Sequence, residues 1–268
     1  MDIFFLISFL ILGAFTGLFA GLFGIGGGGI MVPVLTFMFV KLEFPADHIM
    51  HMALATSMTA IVPTAIASLR AHHAHNAVLW NVVLKIAPGI LMGTFAGTFF
   101  ASFLDAKPLA IFFSCFMAVV ALQMVLDRKA KPSRHLPGTF ALTGVGSGIG
   151  GISALVAIGG GTLTVPFLTW CNVVLPVAIG TSAAVGLPIA FSGAVGYLIN
   201  GLSVENLPQH SLGFIYWPAV IAMATASFFT APLGAKLAHS LPIALLKKLF
   251  AILLISLSLQ MLFTVLSY

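Results

Sequence analysis

Two stretches of this chain repeat one unusual pattern. Residues 24–35 read GIGGGGIMVPVL and residues 157–168 read AIGGGTLTVPFL, so Gly26, Gly27, Gly28 and Pro33 align with Gly159, Gly160, Gly161 and Pro166. The correspondence continues downstream. Ala55-Thr56-Ser57 with Pro63 matches Gly180-Thr181-Ser182 with Pro188, Pro88 matches Pro218, and Leu122-Gln123-Met124 matches Leu259-Gln260-Met261. The chain therefore reads as two copies of one unit, each built around a glycine run that a helix interior accommodates poorly, at about 1 kcal/mol per glycine relative to alanine. Duplication around broken apolar segments is a sequence pointer to a transporter.

The medium in which these units fold follows from charge. Only 6% of the residues are charged and 60% are hydrophobic, against roughly 25% charged in soluble domains. Apolar stretches of about 20 residues, enough to cross about 30 Å of hydrocarbon, run over residues 3–22, 49–69, 77–104 and 108–126, then 138–158, 176–200, 211–235 and 241–264. They are continuously apolar, which fits helices and not the alternation of an outer-membrane barrel. The expected fold is an all-α integral membrane protein surrounded by a lipid bilayer. The first residues carry no basic region or cleavage site of a secretory signal. Cys115 and Cys171 read as small packing residues and not as a disulfide or metal pair.

A shorter apolar stretch lies between the first two long ones of each half, at 30–40 and 163–174. Whether these cross the bilayer decides the topology, and basic residues discriminate. If they cross, Arg70, Lys85, Arg128, Lys129, Lys131, Arg134, Lys236, Lys247 and Lys248 share one side and only Lys41 and Lys107 the other. If they do not, the same residues split almost evenly. Cytoplasmic loops collect Lys and Arg. The expectation is two inverted five-segment repeats, about ten transmembrane segments, with both termini outside. The first repeat would span residues 1–126, a cytoplasmic linker 127–137 and the second repeat 138–268. The net charge of +5 is accounted for by this bias, with no nucleic-acid partner.

The glycine runs are the foremost candidate site. Unpaired backbone at membrane depth must be buried in protein or line a wet cavity. The prolines beyond each run suit a helix's first turn, which places helix starts near residues 30 and 163, with Thr162 as N-cap. A helix start with bare glycine N–H groups attracts anions. The candidate substrate-binding residues are Gly26, Gly27, Gly28 and Gly29 in one half and Gly159, Gly160, Gly161 and Thr162 in the other. Thr56, Ser57, Thr181 and Ser182 join them as hydroxyl donors suited to the oxygens of a small anion. The alternative is structural: small residues pack helices closely, and hydroxyls bond their own helix.

Other chemistry finds less support. His72, His73 and His75 beside Arg70 could form a metal or proton-relay cluster, and a metal-dependent membrane enzyme using them is the alternative from another class. They read more simply as a basic loop, with Trp80, Trp217 and His51 at the interfaces. No acidic residue falls deep in an expected span, which disfavours a carboxylate cation site. No hydrolase or nucleotide-binding motif is present, so the reading is a non-enzyme that needs no cofactor.

The paired glycine breaks followed by V-P-x-L, with A-T-S or G-T-S downstream, resemble the TauE/SafE family of sulfite and organosulfonate exporters. The resemblance covers essentially the whole chain, including the Leu-Gln-Met segments. It implies an inner-membrane permease moving small sulfur-containing anions, commonly outward, with its site at the glycine breaks and hydroxyl pairs named above. An anion channel, or a permease for a different small anion, is the alternative within transport. The chain departs from the family at Asn76-Ala77-Val78-Leu79-Trp80, where such proteins often carry a Gly and an Asp before the Trp.

Overall fold

The structure is a computed structural model and describes residues 3–24, 26–126, 135–238 and 243–267, without the side chains of 238 and 243–249. The linker cations Arg128, Lys129, Lys131 and Arg134 lie outside the described residues.

Ten α-helices occur among the described residues: α1 (Ile3–Phe23), α2 (Gly28–Lys41), α3 (Ile49–Ala74), α4 (Trp80–Ser102), α5 (Ala106–Leu126), α6 (Thr139–Val156), α7 (Gly161–Trp170), α8 (Leu175–Gly201), α9 (Trp217–Ala238) and α10 (Ile243–Ser267). Eight are long and apolar enough to cross a membrane, α2 and α7 being the exceptions. A two-stranded hairpin, β1 (Ser211–Leu212) and β2 (Ile215–Tyr216), precedes α9. The apolar stretch expected from residue 211 therefore starts its helix only at Trp217. Gly213, at φ 54°, makes the turn that turns residues 211–216 into a hairpin.

Helix pairing follows small residues. Gly13, Gly17 and Gly21 of α1 lie against the backbone of Met223, Ser227 and Ala231 of α9, and a Cβ at any of them would collide. Gly89 and Gly93 of α4 lie in the same way against Thr143 and Ser147 of α6. Close approach of this kind gives van der Waals packing where lipid offers no hydrophobic drive between helices. Both registers ascend together, so α1 runs parallel to α9, and α4 to α6.

Side-chain pairs give the other directions. Tyr216 and Ser227 meet Thr56 and Thr64, so the start of α9 lies beside the start of α3 and the two run in parallel. Met58 faces Gly193 while Ala77 faces Gly180, so α3 and α8 are antiparallel. Leu91 and Thr98 face Ser192 and Gly196, so α4 and α8 are parallel. Ser114 bonds to the carbonyl of Ser258, and Met117 and Leu254 flank Gly29, so α5 and α10 are antiparallel. Because α1 and α3 both run with α9, the segment of residues 24–48 carries the chain back between them.

The largest fully buried side chains include Phe9, Phe39, Met50, Met52, Leu54 and Met58. The core is thus centred on α3, whose crossing window is the most buried of the eight. This helix continues five residues past its expected end, so His72 and His73 are helical and not in a loop. It stops at Ala74, and the chain then turns at Asn76, which takes φ 55°.

Candidate functional site

Each glycine break bends through the left-handed region at matching places. Gly24 (φ 68°) corresponds to Ala157 (φ 48°), and Gly27 (φ 82°) to Gly160 (φ 78°). Gly27 and Gly160 are the N-cap residues of α2 and α7. That conformation costs an L-residue roughly 1–2 kcal/mol and glycine nothing, which is why the helices begin at Gly28 and Gly161 and not near residues 30 and 163. Thr162 is consequently the second helical residue and not the N-cap. Pro33 and Pro166 are likewise two residues deeper than expected, each the sixth residue of its helix. Each removes the donor that would have met the carbonyl four residues back, that of Gly29 or Thr162.

The two breaks touch. A Cβ at Gly26 would lie 2.6 Å from the Gly159 Cα, and one at Gly28 would lie 1.6 Å from the Ala157 carbonyl oxygen. Ile61 of α3 lies against both Gly26 and Gly28. Since α3 runs from Ile49 to Ala74, the crossing is at the middle of that helix. Three expected residues thus acquire a definite place: Gly26 and Gly28 fit backbone to backbone against the second break, and Gly160 turns the chain into α7 beside Val185 and Ile189. Gly29 packs on Met117 and Leu254, away from the crossing.

Gly160 and Gly161 donate their N–H groups to the carbonyls of Ile158 and Gly159, at 2.8 and 3.0 Å. The amides of the second helix start are thus partly used locally.

The hydroxyl pairs divide by role. Thr56 Oγ1 accepts from the Tyr216 N–H at 3.1 Å and Thr181 Oγ1 from the Leu79 N–H at 3.0 Å. Leu79 and Tyr216 immediately precede α4 and α9, so a threonine of each half holds the start of a helix in the other. Ser182 donates to the Ile179 carbonyl at 2.8 Å and lies close to Gly24. Ser57 is fully buried and its hydroxyl has no hydrogen-bond partner among the described residues. It stands one turn before Ile61 on the same face of α3.

A small cavity, with room for about one water molecule, lies beside the crossing. Its wall holds Gly24, Gly26, Gly159 and Gly186, and Thr64 and Ser68 of α3, the rest being alanine and isoleucine. Residue patterns did not single out Thr64 or Ser68, because only the first hydroxyl pair on α3 has a counterpart in the other half. The register Ser57, Ile61, Thr64, Ser68 on one helix face was the available signal. Toward the start of α3 the bundle is closed by Phe39, Phe44 and Tyr216, whose ring centroids are 4.7 to 5.8 Å apart.

The histidines do not converge. His72 is buried, with its Nε2 3.2 Å from the Gly21 carbonyl. His73 accepts from the Trp80 indole N–H at 3.3 Å. His51, expected at the interface, is buried with Nε2 3.0 Å from the Ala101 carbonyl. Among the described residues, no three His, Cys, Asp or Glu side chains are grouped to hold a metal.

Comparison with known proteins accords with this geometry. Residues 9–261 match the family model described as sulfite exporter TauE/SafE. A "Probable membrane transporter protein" of Haemophilus influenzae is 38% identical over 96% of this chain and 98% of its own length. Another from Methanocaldococcus jannaschii is 27% identical over 85% of this chain and 84% of its own, and one from Bacillus subtilis 24% identical over 94% and 96%. No solved structure matches the chain significantly.

Proposed function

The chain belongs to the TauE/SafE family, and from that premise we propose that it is a secondary transporter of small sulfur-containing anions, of the sulfite or organosulfonate class, working outward. Membership and the named relatives make it a multi-pass membrane transporter. The observation that carries the finer reading is the contact between the two glycine breaks at the middle of α3, beside a cavity walled by their backbone and by hydroxyls. A helix start and peptide groups can bind an anion without a basic side chain.

In this reading the two halves are inverted repeats in the inner membrane, with both termini outside and the boundaries at residues 126 and 138. The antiparallel pairs α3–α8 and α5–α10 support it, as does the exchange by which α1 packs on α9 and α4 on α6. Alternating access rocks one half against the other about the crossing. Gly26, Gly27, Gly28, Gly159 and Thr162 supply or shape the anion-facing backbone, Gly29 packs behind it, and Ser57 and Ser182 flank it. Thr56 and Thr181 orient the helices around it, and Gly160 and Gly161 set the turn.

The test is flux. Purified protein in liposomes should release preloaded sulfite, and Ser57→Ala should slow release while leaving the protein folded. Release no faster than from empty liposomes, for sulfite and for simple alkanesulfonates alike, would overturn the substrate assignment.

A further inference from the structure

We infer that the seam between α4 and α6 holds an anionic phospholipid, its phosphate at Lys85 and an acyl chain along Gly144 and Gly148. This goes beyond the transporter reading and does not depend on the substrate.

Lys85 carries the argument. It is the sixth residue of α4, about 7.5 Å along the helix from its start, and it is half-buried. A lysine this far into an apolar helix needs a counter-charge, or a path for its ammonium group to the headgroups. No carboxylate is within reach. Among the described residues the acidic ones are Glu43, Asp47, Asp105 and Glu205, and all of them lie at the opposite face, beyond the end of α4 and before the starts of α3, α5 and α9. The charged residues described on the face of Lys85 are cations, with Arg70 and Lys236 both exposed. Charge complementarity there calls for a negative headgroup.

The seam below Lys85 has room for a chain. The Lys85 carbonyl accepts from the Thr143 hydroxyl at 2.9 Å, and one turn further on Gly89 and Gly93 lie against Thr143 and Ser147. The two helices run in parallel. Pro88 and Met92, each one residue before a contact glycine, therefore line the same side of the seam as Gly144 and Gly148, each one residue after a contact residue. All four are exposed, and a Cβ at Gly144 or Gly148 would meet nothing within 4 Å. Lys85 precedes Pro88 by three residues and Phe140, 96% exposed, precedes Gly144 by four, so both stand at the mouth of this trough. A second copy of the chain fits it less well. Neither α4 nor α6 carries an acidic residue, so pairing this face with itself would bring two Lys85 side chains together.

The test titrates the full chain, purified in neutral detergent, with dioleoylphosphatidylglycerol or dioleoylphosphatidylcholine while its melting temperature is followed. Phosphatidylglycerol should raise that temperature saturably and phosphatidylcholine should not. Lys85→Gln should raise the half-saturating mole fraction of phosphatidylglycerol about fivefold, the effect of one basic residue at a charged headgroup. Lys85→Arg should keep the wild-type value. Gly148→Leu fills the trough, leaves Lys85 in place and should weaken the response at least as much as Lys85→Gln. Should Lys85→Gln fail to fold, Lys85→Arg and Gly148→Leu decide the matter between them. Arg70→Gln and Lys236→Gln should change the half-saturating fraction less than about twofold. Equal responses to the two lipids would overturn the proposal. So would equal weakening by all three glutamine variants, which would mean diffuse attraction to the whole face. Glycerol 3-phosphate acting as strongly as the lipid would assign Lys85 to a soluble phosphate instead. A dimer in detergent alone that Gly148→Leu converts to monomer would give the seam to a second copy.

Discussion

Thr56 and Thr181 occupy matching positions and do matching work, each accepting a hydrogen bond from the backbone N–H just before a helix of the other half. Both side chains are fully buried, so removing the acceptor leaves a buried N–H unpaired, at about 1–3 kcal/mol. Thr56→Val and Thr181→Val should each lower the thermal stability of the purified protein, and Thr→Ser at either position should restore most of it. A melting temperature unmoved by both valine variants would show that these bonds do not brace α9 and α4. Gly28 illustrates a related point. Its contact with the Ala157 carbonyl leaves no room for a side chain, so Gly28→Val would disturb packing as well as any ligand. Serine-to-alanine changes are the cleaner probes of the site.

At the scale of the helix, the spacing of small residues governs which elements meet. Gly13, Gly17 and Gly21 recur every four residues on α1, and Gly89, Gly93 and Gly97 recur in the same way on α4, each row placed on one helix face. The two rows bring α1 onto α9 and α4 onto α6 at backbone distance. A branched side chain in either row must push the helices apart, and overpacking costs typically 1–3 kcal/mol or more. Gly17→Val and Gly93→Val should each reduce the fraction of protein that elutes monodisperse after solubilisation and lower its melting temperature. Gly144, where an added Cβ meets nothing within 4 Å, supplies the control: Gly144→Ala should be neutral or slightly stabilising. Equal behaviour of all three variants would mean that these interfaces are looser than the close approach implies.

For the whole molecule, the open question is which way the bundle sits. The segment ends sort onto two faces, with Asn76 beside the start of α4 on one and the 202–210 loop beside the start of α9 on the other. In the orientation proposed above, the uneven sharing of Lys and Arg puts the first face in the cytoplasm. In a background lacking Cys115 and Cys171, Asn76→Cys should react with a membrane-impermeant thiol reagent only after the cell is opened. Ser203→Cys should react in intact cells. The reverse pattern would turn the molecule over, and labelling of both from outside would refute the helix directions.

Much of this molecule can be read from its residues. Apolar runs with scarcely any charge demand helices in lipid, because only a helix or a closed barrel satisfies backbone polar groups there. The glycine runs announce breaks, since no other residue enters the left-handed turn at Gly27 and Gly160 so cheaply. The motif around them was sufficient to suggest the family that the match over residues 9–261 establishes. The helix starts were misplaced by two residues because the N-cap is the turning glycine itself, not the threonine after it. Other features belong to the tertiary structure alone. The contact of Gly26 with Gly159 and the use of Thr56 and Thr181 as braces depend on residues more than a hundred positions away. Local pattern specifies what a segment can be. The close approach of separate helices decides which backbone and hydroxyl groups are used up in holding the fold, and which remain to meet a ligand.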